Sequence, residues 1–185
     1  INDAQFCYPW GITMDKNDNL YITDSHHIRK INISSGIVET IAGSTTGYRK
    51  GGYNDGKAKN AIFSYPAGLI IDNNDDDGTI YVADCQNQCI RTIKNGIVST
   101  IAGIPKRYGN EDGPTNEAMF RNPHALILND DGNLLVGDEN GLRKVNLNQK
   151  IVSPSQGIPK EPIFSLTRDN FGSIYVGCNY SILLL

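Results

Sequence analysis

The sequence predicts an all-β protein built from one repeated unit, and two observations lead to this prediction. The chain repeats at an interval of 57 residues, which places Phe6 on Phe63 and then on Phe120. Each copy contains short runs rich in Ile, Val, Tyr and Thr, separated by Gly, Asn, Asp and Ser, which is the pattern of strands and turns. No segment shows a convincing helical period over about 11 residues. At 39% hydrophobic and 20% charged residues, the chain can bury a core.

Each unit is expected to form four short strands, A to D. In the first unit these strands are predicted at residues 11–15, 20–23, 28–33 and 37–42. Four antiparallel strands per unit, arrayed radially, form a blade of a β-propeller and avoid long exposed sheet edges. The blades are expected at about residues 6–43, 63–103, 120–157 and, incompletely, 162–185. The prediction for residues 1–185 is therefore a partial propeller of about three and a half four-stranded blades.

Several segments resemble NHL repeats. They are Asp-Asn-Leu-Tyr-Ile-Thr-Asp at 18–24 before Ile-Arg-Lys-Ile, Gly-Thr-Ile-Tyr-Val-Ala-Asp at 78–84 before Ile-Arg-Thr-Ile, and the Thr-Ile-Ala-Gly endings at 40–43 and 100–103. The long loops at 52–56 and 109–113, each leading to Ala-x-Phe, resemble the extended-loop subtype of thioredoxin-fused NHL-repeat proteins. The resemblance implies a six-bladed ring, whose remaining blades would come from the same longer chain or from another chain.

The two faces of such a propeller differ in charge. The A–B and C–D turns share one face, and the A–B turns hold nine of the 20 acidic residues, namely Asp15, Asp18, Asp72, Asp75, Asp76, Asp77, Asp130, Asp131 and Asp169. The B–C and D–A loops share the other face, here called the loop face, where Lys57 and Lys59 are expected beside further cations. The alternative is that these loop lysines are only solvated surface groups.

The resemblance implies that the loop face binds partners. The candidate partner-binding residues are Trp10, His26, His27, Tyr48, Arg49, Lys50, Tyr53, Lys106, Arg107, Tyr108, Arg121 and His124. Trp10 and His124 follow the repeated prolines and are expected at the central mouth of the ring.

Two weak metal sites can be formulated. Asn73, Asp75 and Asp77 alternate before a Gly as in a calcium loop, although a plain Asp/Gly hairpin turn explains them better. His26 and His27 in one B–C loop, with Cys85 and Cys89 in the next, supply a Cys₂His₂ set for zinc. A disulfide between the two cysteines is the alternative. We expect no cofactor.

One polar pairing recurs in the first three blades. Asp24, Asp84 and Asp138 end strand B, and each is followed in strand C by an arginine, namely Arg29, Arg91 or Arg143. A catalytic site occurs once, so this repetition predicts an architectural role: the carboxylate accepts loop N–H groups and the arginine pairs nearby.

These features predict a non-catalytic scaffold that presents the loop face to a protein or peptide. A metal-dependent propeller lyase or lactonase is the alternative, but it needs convergent ligands at the mouth. An RNA-binding NHL domain is disfavoured by the net charge of −3. No membrane association is expected, and a cytoplasmic location is slightly favoured.

Overall fold

The computed structural model describes residues 4–44, 51–155, 157–158 and 160–185, and it confirms the all-β propeller-like fold. Within these ranges the strands are β1 Pro9–Met14, β2 Asn19–Asp24, β3 His27–Asn32, β4 Ile37–Ala42, β5 Gly56–Lys57, β6 Pro66–Ile71, β7 Ile80–Asp84, β8 Cys89–Lys94, β9 Ile97–Ala102, β10 Gly113–Pro114, β11 Ala125–Leu128, β12 Leu134–Asp138, β13 Gly141–Asn146, β14 Ile151–Pro154, β15 Ile163–Arg168, β16 Ile174–Cys178 and β17 Ile182–Leu184. Short 3₁₀ helices lie at Ala58–Asn60 and Cys85–Asn87.

The strands form four antiparallel sheets, which are the blades. Blade 1 has the order β1-β2-β3-β4, and blade 4 has the order β15-β16-β17. Blade 2 has the order β5-β9-β8-β7-β6, and blade 3 has the order β10-β14-β13-β12-β11. Strand A of each blade lies innermost, since β1 contacts β6, and β11 contacts both β6 and β15. The ends of these four inner strands therefore surround the central axis. That the four blades belong to a six-bladed ring stays a prediction.

The A–B turns are closed by side chains, which is why Asp and Asn recur there. Asp15 accepts the backbone N–H groups of Asn17 and Asn19, both at 2.9 Å, and the hydroxyl of Tyr21 at 3.0 Å. Asp169 closes the turn of blade 4 in the same way. Short polar side chains favour tight turns because they satisfy backbone donors that lack a strand partner.

The long D–A loops add a fifth, outermost strand to blades 2 and 3, which the sequence analysis did not predict. Gly56 and Lys57 pair with the start of β9, where Lys57 lies opposite Ile97, and Ala58 donates its N–H to the carbonyl of Gly96 in the C–D turn. Lys57 and Lys59 therefore lie on the outer rim. Their assignment to the loop face was wrong, because the loop folds back along the blade edge.

Among the residues that the structure describes, three apolar clusters fill the spaces between neighbouring blades. Leu69 of β6 packs with Tyr21 of blade 1, and Leu126 of β11 packs with Tyr81 of blade 2. Phe63, at the end of the first long loop, is fully buried in the first of these clusters. Burying aromatic side chains supplies much of the stabilisation of such interfaces. The clusters hold the inner strands in a fixed arrangement around the axis.

Candidate functional site

Four residues at one register position of the inner strands meet at the axis on the loop face. The pairs Pro9–Asp24 and Pro66–Asp84 show that the repeated prolines occupy the same place at the start of strand A. The residues that follow this place are Trp10, Ala67, His124 and Phe164. The four blades therefore contribute three rings and one methyl group to the same opening, which we call the axial mouth.

The rings of the axial mouth contact one another. The centroid of His124 lies 6.2 Å from that of Trp10 and 5.5 Å from that of Phe164, the latter in an edge-to-face arrangement. Trp10 nevertheless remains 68% exposed. Its large apolar surface is open to solvent beside an ordered aromatic neighbour, which is typical of side chains that bind partners.

A cavity of about 270 Å³ opens beside these rings. The residues that line it include Tyr8, Trp10, Tyr65, Cys85 and Gln86. Tyr8 and Tyr65 occupy the same position of blades 1 and 2, two residues after the repeated Phe. The cavity is mostly apolar, with a few polar groups, which is the usual composition of a site that takes one side chain or a small ligand.

The mouth also contains polar groups. The Nδ1 atom of His124 is buried and has no hydrogen-bond partner. Burial, with a smaller contribution from nearby Asp84, raises the pKa of the Cys85 thiol to about 12, so the thiol stays protonated at neutral pH. These groups support stacking and hydrogen bonding to a ligand.

The loops that carry the mouth are fastened by the recurring Asp–Arg pair, as predicted. In blade 2 the Asp84 carboxylate accepts the backbone N–H of Ser64 at 2.8 Å and the Nη1 atom of Arg91 at 2.8 Å. Both side chains are fully buried. Burial raises the pKa of Asp84 to about 6 and outweighs the opposite effect of Arg91, so the carboxylate is still ionised at neutral pH.

The same fastening occurs in the neighbouring blades. In blade 1, Asp24 accepts the N–H groups of Cys7 and Tyr8 at 2.7 and 2.9 Å. In blade 3, Asp138 accepts the N–H of Arg121 at 3.1 Å. In blade 4, Cys178 stands at this position, opposite Ile163. A carboxylate at the end of strand B thus orders the loop segment that leads to the mouth in three blades.

The predicted partner-binding residues do not all reach the surface. Those exposed to solvent are Trp10, Lys106, Arg107, Tyr108 and Arg121. The guanidinium of Arg121 pairs with Glu139 at 3.0 Å. His124 is half-buried at the mouth. Tyr48, Arg49 and Lys50 lie outside the described residues.

His26, His27 and Tyr53 take part in contacts within the protein. His26 is buried, and its Nδ1 accepts the N–H of Tyr65 at 3.3 Å, so its assignment as a partner contact is corrected. His27 is half-buried, with its Nε2 at 3.3 Å from the carbonyl oxygen of Ser44. Tyr53 is half-buried, and its hydroxyl donates to Asp55 at 3.0 Å. These side chains shape the loops rather than protrude from them.

The three candidate calcium ligands form hydrogen bonds and ion pairs with other groups of the protein. Asp75 accepts Nζ of Lys94 at 2.9 Å and the hydroxyl of Thr79, while Asp77 lies 3.4 Å from the same ammonium and Asn73 bonds to blade 1. The hydrogen bond from Thr79, followed by that from Lys94, lowers the pKa of Asp75 to about 2. These oxygens are therefore held in a hairpin turn.

The zinc candidates are not brought together. Across the described ranges, no three His, Cys, Asp or Glu side chains form a group that could hold a metal ion. Cys85 and Cys89 are free thiols in this structure, so they do not form the disulfide that was the alternative to zinc binding. Cys89 is fully buried in β8, and burial raises the pKa of its thiol.

Sequence reasoning missed Tyr8, Tyr65 and Phe164. The first two were signalled by the Phe-x-Tyr-Pro motif that opens the first two units, and they were read only as markers of the repeat. Phe164 was signalled more weakly, because Ile163 stands in blade 4 where the other blades have the repeated proline. The alignment of Asp169 with Asp15 places Phe164 on Trp10, but this position was not read as part of the mouth.

Comparison with known proteins agrees with the fold. The NHL repeat family model matches residues 6–29. The chain is 30% identical over 157 residues to Protein SUPPRESSOR OF QUENCHING 1, chloroplastic, from Arabidopsis thaliana, with 79% of this chain and 14% of that protein covered. It is 38% identical over 111 residues to NHL repeat-containing protein 2 from Gallus gallus, with 57% of this chain and 14% of that protein covered. The chain thus spans 14% of the length of either relative.

A solved structure of the nidogen/laminin complex contains a similar fold. Its matching chain has a TM-score of 0.68 and 16% identity, and the match covers 96% of this chain and 60% of that chain. At this identity the likeness concerns the fold alone.

Antiparallel blades arranged radially, with loops fastened by aspartates, define a β-propeller built from repeats. With the family match and the NHL relatives, the chain belongs to the NHL-repeat family. The extended-loop subtype stays a prediction. No helix among the described residues has the length and apolar character needed to span a bilayer.

Proposed function

We propose that this propeller is a non-catalytic interaction module that binds a protein or peptide through the axial mouth and the loops around it. The observation that carries the proposal is the set of exposed aromatic side chains at the mouth, namely Tyr8, Trp10, Tyr65 and Phe164. Aromatic residues are enriched at the buried centres of protein interfaces, where they supply contact area at a low entropy cost.

The fold supports the same proposal. NHL propellers commonly act as protein-interaction modules, and rigid blades with variable loops suit this role. The carboxylates of Asp24, Asp84 and Asp138 accept hydrogen bonds from backbone N–H groups of the loops and so keep the loops in place. Because the loops are already ordered, binding a partner causes a smaller loss of loop conformational entropy.

The charge of the loop face favours a protein partner over a nucleic acid. Lys106 and Arg107 are exposed, but Arg121 is paired with Glu139, and the chain as a whole carries a net charge of −3. Phosphate-backbone binding depends on many unpaired cations. Two exposed cations in a D–A loop and an aromatic mouth fit a peptide that offers an apolar side chain and acidic residues.

The test is a selection of peptides from a random displayed library on the immobilised chain, followed by affinity measurements on variants. We expect the selected peptides to bind Trp10→Ala at least about fivefold more weakly than the wild type, because truncating an aromatic contact at an interface costs at least about 1 kcal/mol.

Phe171→Ala is the matched control, since Phe171 is an almost fully exposed aromatic residue in an A–B turn on the opposite face. It should bind the selected peptides as the wild type does. Enrichment of no peptide, or equal affinity of Trp10→Ala and the wild type, would overturn the proposal.

A further inference from the structure

A second cavity, of about 1110 Å³, lies between blades 2 and 3 in the outer part of the propeller. One wall comes from β8 and β9 of blade 2, and the other comes from β10, β13 and the C–D turn of blade 3. All of these elements lie within the continuous described range 51–155, so two neighbouring blades that the structure contains form both walls. The volume is sufficient for a drug-sized molecule.

The cavity reaches the ring of Tyr81 because strand C of blade 2 has a short side chain there. In blade 1, the ammonium group of Lys30 lies 5.6 Å from the centroid of the Tyr21 ring. Tyr81 and Thr92 have the same cross-strand register in blade 2, and both line the cavity. Thr92 thus leaves open the space beside the ring that a lysine side chain occupies in blade 1.

The C–D turn of blade 3 extends the opposite wall. It consists of residues 147–150, whereas the corresponding turn of blade 2 consists of residues 95–96. Leu147 lines the cavity, and Lys150 is exposed to solvent at this wall. Apolar side chains complete the lining, namely Ile101, Ile104, Pro105, Pro114 and Val145.

The hydroxyl of Tyr81 is a polar group that the protein leaves unpaired. In blades 1 and 4, the corresponding tyrosines donate to Asp15 at 3.0 Å and to Asp169 at 3.1 Å. The A–B turn of blade 2 is longer, and its Asp75 accepts the hydroxyl of Thr79 instead. Tyr81 is only 9% exposed, yet its hydroxyl has no hydrogen-bond partner in the part of the chain that the structure describes.

Thr115 supplies a second unpaired hydroxyl. It stands where blade 2 has Ala58, since the carbonyls of Ala58 and Thr115 accept the N–H groups of Gly43 and Gly103. Thr115 lines the cavity and is 8% exposed, and its hydroxyl forms no hydrogen bond among the described residues. Neither this oxygen nor that of Tyr81 is sealed from solvent. Because buried hydroxyls normally have a partner, the cavity offers hydrogen-bonding positions to a ligand.

The charges beside Tyr81 favour an uncharged ligand. Burial, followed by the carboxylates of Asp72 and Asp75, raises the pKa of Tyr81, so its hydroxyl is a donor at neutral pH. Nζ of Lys94 already lies 2.9 Å from Asp75 and 3.4 Å from Asp77. A ligand carboxylate at the hydroxyl would be repelled by the nearby acids, whereas a ketone oxygen accepts the same hydrogen bond without that repulsion.

We propose that the cavity between blades 2 and 3 binds an uncharged small molecule with a flat, apolar ring system and a ketone oxygen. The ring system lies beside the Tyr81 ring and packs against Ile101 and Leu147. The ketone accepts the hydrogen bond of the Tyr81 hydroxyl, and Thr115 bonds to a second polar group of the ligand. This site lies away from the axis, so the inference stands independently of the axial mouth.

The experiment is a two-dimensional NMR titration of the whole chain with three ligands of the same shape. They are 2-acetylnaphthalene, its oxygen-free analogue 2-isopropenylnaphthalene, and the charged 2-naphthoate. We expect 2-acetylnaphthalene to shift the amide signals of Thr92 and Thr115 in a saturable way. The other two ligands should bind at least about fivefold more weakly, because they lack the hydrogen bond or add a repelled charge.

The variant Tyr81→Phe removes the hydroxyl and keeps the ring. It should bind 2-acetylnaphthalene about fivefold more weakly than the wild type does, and it should bind 2-isopropenylnaphthalene equally well. Tyr21→Phe is the matched control, since Tyr21 has the same position in blade 1 and donates to Asp15. It should bind all three ligands as the wild type does.

The variant Thr92→Lys fills the cavity with the residue that blades 1 and 3 have at this position, Lys30 and Lys144. It should weaken the binding of 2-acetylnaphthalene at least about tenfold, because the ligand and the lysine would occupy the same space. Asn17→Lys adds the same charge in an exposed turn of blade 1 and should leave binding unchanged.

Unfolding of a variant would not remove the test, because the three ligands are compared on the wild-type protein. Equal affinity for 2-acetylnaphthalene and its oxygen-free analogue would overturn the proposal, as would tighter binding of 2-naphthoate. Saturable shifts that leave Thr92 and Thr115 unmoved, or the absence of saturable shifts, would also contradict it.

Discussion

Equivalent apolar residues of the first and second blades differ in their exposure to solvent. Ile12 in β1 and Leu69 in β6 have the same register, opposite Ile22 and Val82 respectively. Ile12 is 61% exposed, whereas Leu69 is 5% exposed because it packs against blade 1. The alternation within a strand is therefore a property of the blade, and the burial of its outward face depends on the neighbouring blade.

The opposite end of the structure shows the same difference. Tyr175 and Ile182 of blade 4 are exposed, whereas Tyr81 and Ile90 at the same positions of blade 2 are buried against blade 3. Both outward faces thus have the residue pattern of an interface between blades. Completion of the ring by further blades stays a prediction.

The largest effect is expected from breaking the buried ion pair of blade 2. Arg91→Gln should lower the free energy of unfolding by about 3–5 kcal/mol, because Asp84 would be left as an uncompensated buried charge. Arg29→Gln, at the same position of blade 1, should cost only about 1 kcal/mol because Arg29 is partly exposed. Urea denaturation at pH 8 measures both values.

The Arg91→Gln effect should depend on pH with a defined sign. The folded pKa of Asp84, about 6, lies above its ordinary value of 3.8, so ionising this carboxyl lowers stability as pH rises through that window. Without Arg91 the pKa rises further. The loss should therefore be smaller at pH 5 than at pH 8, and an equal loss at both values would contradict this role.

Truncating the two equivalent apolar residues tests the comparison of blades directly. Leu69→Ala should cost about 2–5 kcal/mol, as is usual for a buried leucine, because it leaves a cavity between blades 1 and 2. Ile12→Ala should cost less than about 1 kcal/mol in this chain, since its side chain contacts mainly solvent. Denaturation curves that show similar losses would mean that Ile12 is covered in solution.

The smallest effect is expected in the A–B turn of blade 2. The folded pKa of Asp75, about 2, lies below its ordinary value of 3.8, so its ionised form stabilises the fold above about pH 4. That contribution is lost as pH falls through 3.8 toward 2. Asp75→Asn should therefore show a shallower loss of thermal stability between pH 4 and pH 2, and an unchanged slope would contradict the assignment.

Much of the fold was predictable because blade strands combine repetition with strong turn signals. The 57-residue interval and the acidic A–B turns located the blades, and the recurring Asp–Arg pairs predicted the loop fastening. The fifth strands at Gly56–Lys57 and Gly113–Pro114 escaped because two residues carry no periodic pattern. Only their pairing partners identify them as strands.

The candidate site was less predictable, because it depends on convergence around an axis. Trp10 and His124 were expected at the mouth, but the contact of His124 with Phe164 depends on how blade 4 packs beside blade 3. His26 was expected on the accessible loop face because it lies in a B–C loop, yet its ring is buried against Tyr65. The burial of a loop side chain depends on the neighbouring blade, which the local sequence does not contain.

The central claim, that the axial mouth binds a partner, is tested most directly by the fluorescence of Trp10. The chain contains one tryptophan, so its emission reports on the mouth alone. Titration with a selected peptide should change this emission, with a dissociation constant equal to that measured by direct binding. Unchanged Trp10 emission at saturating peptide would contradict the account, because the partner would then bind elsewhere.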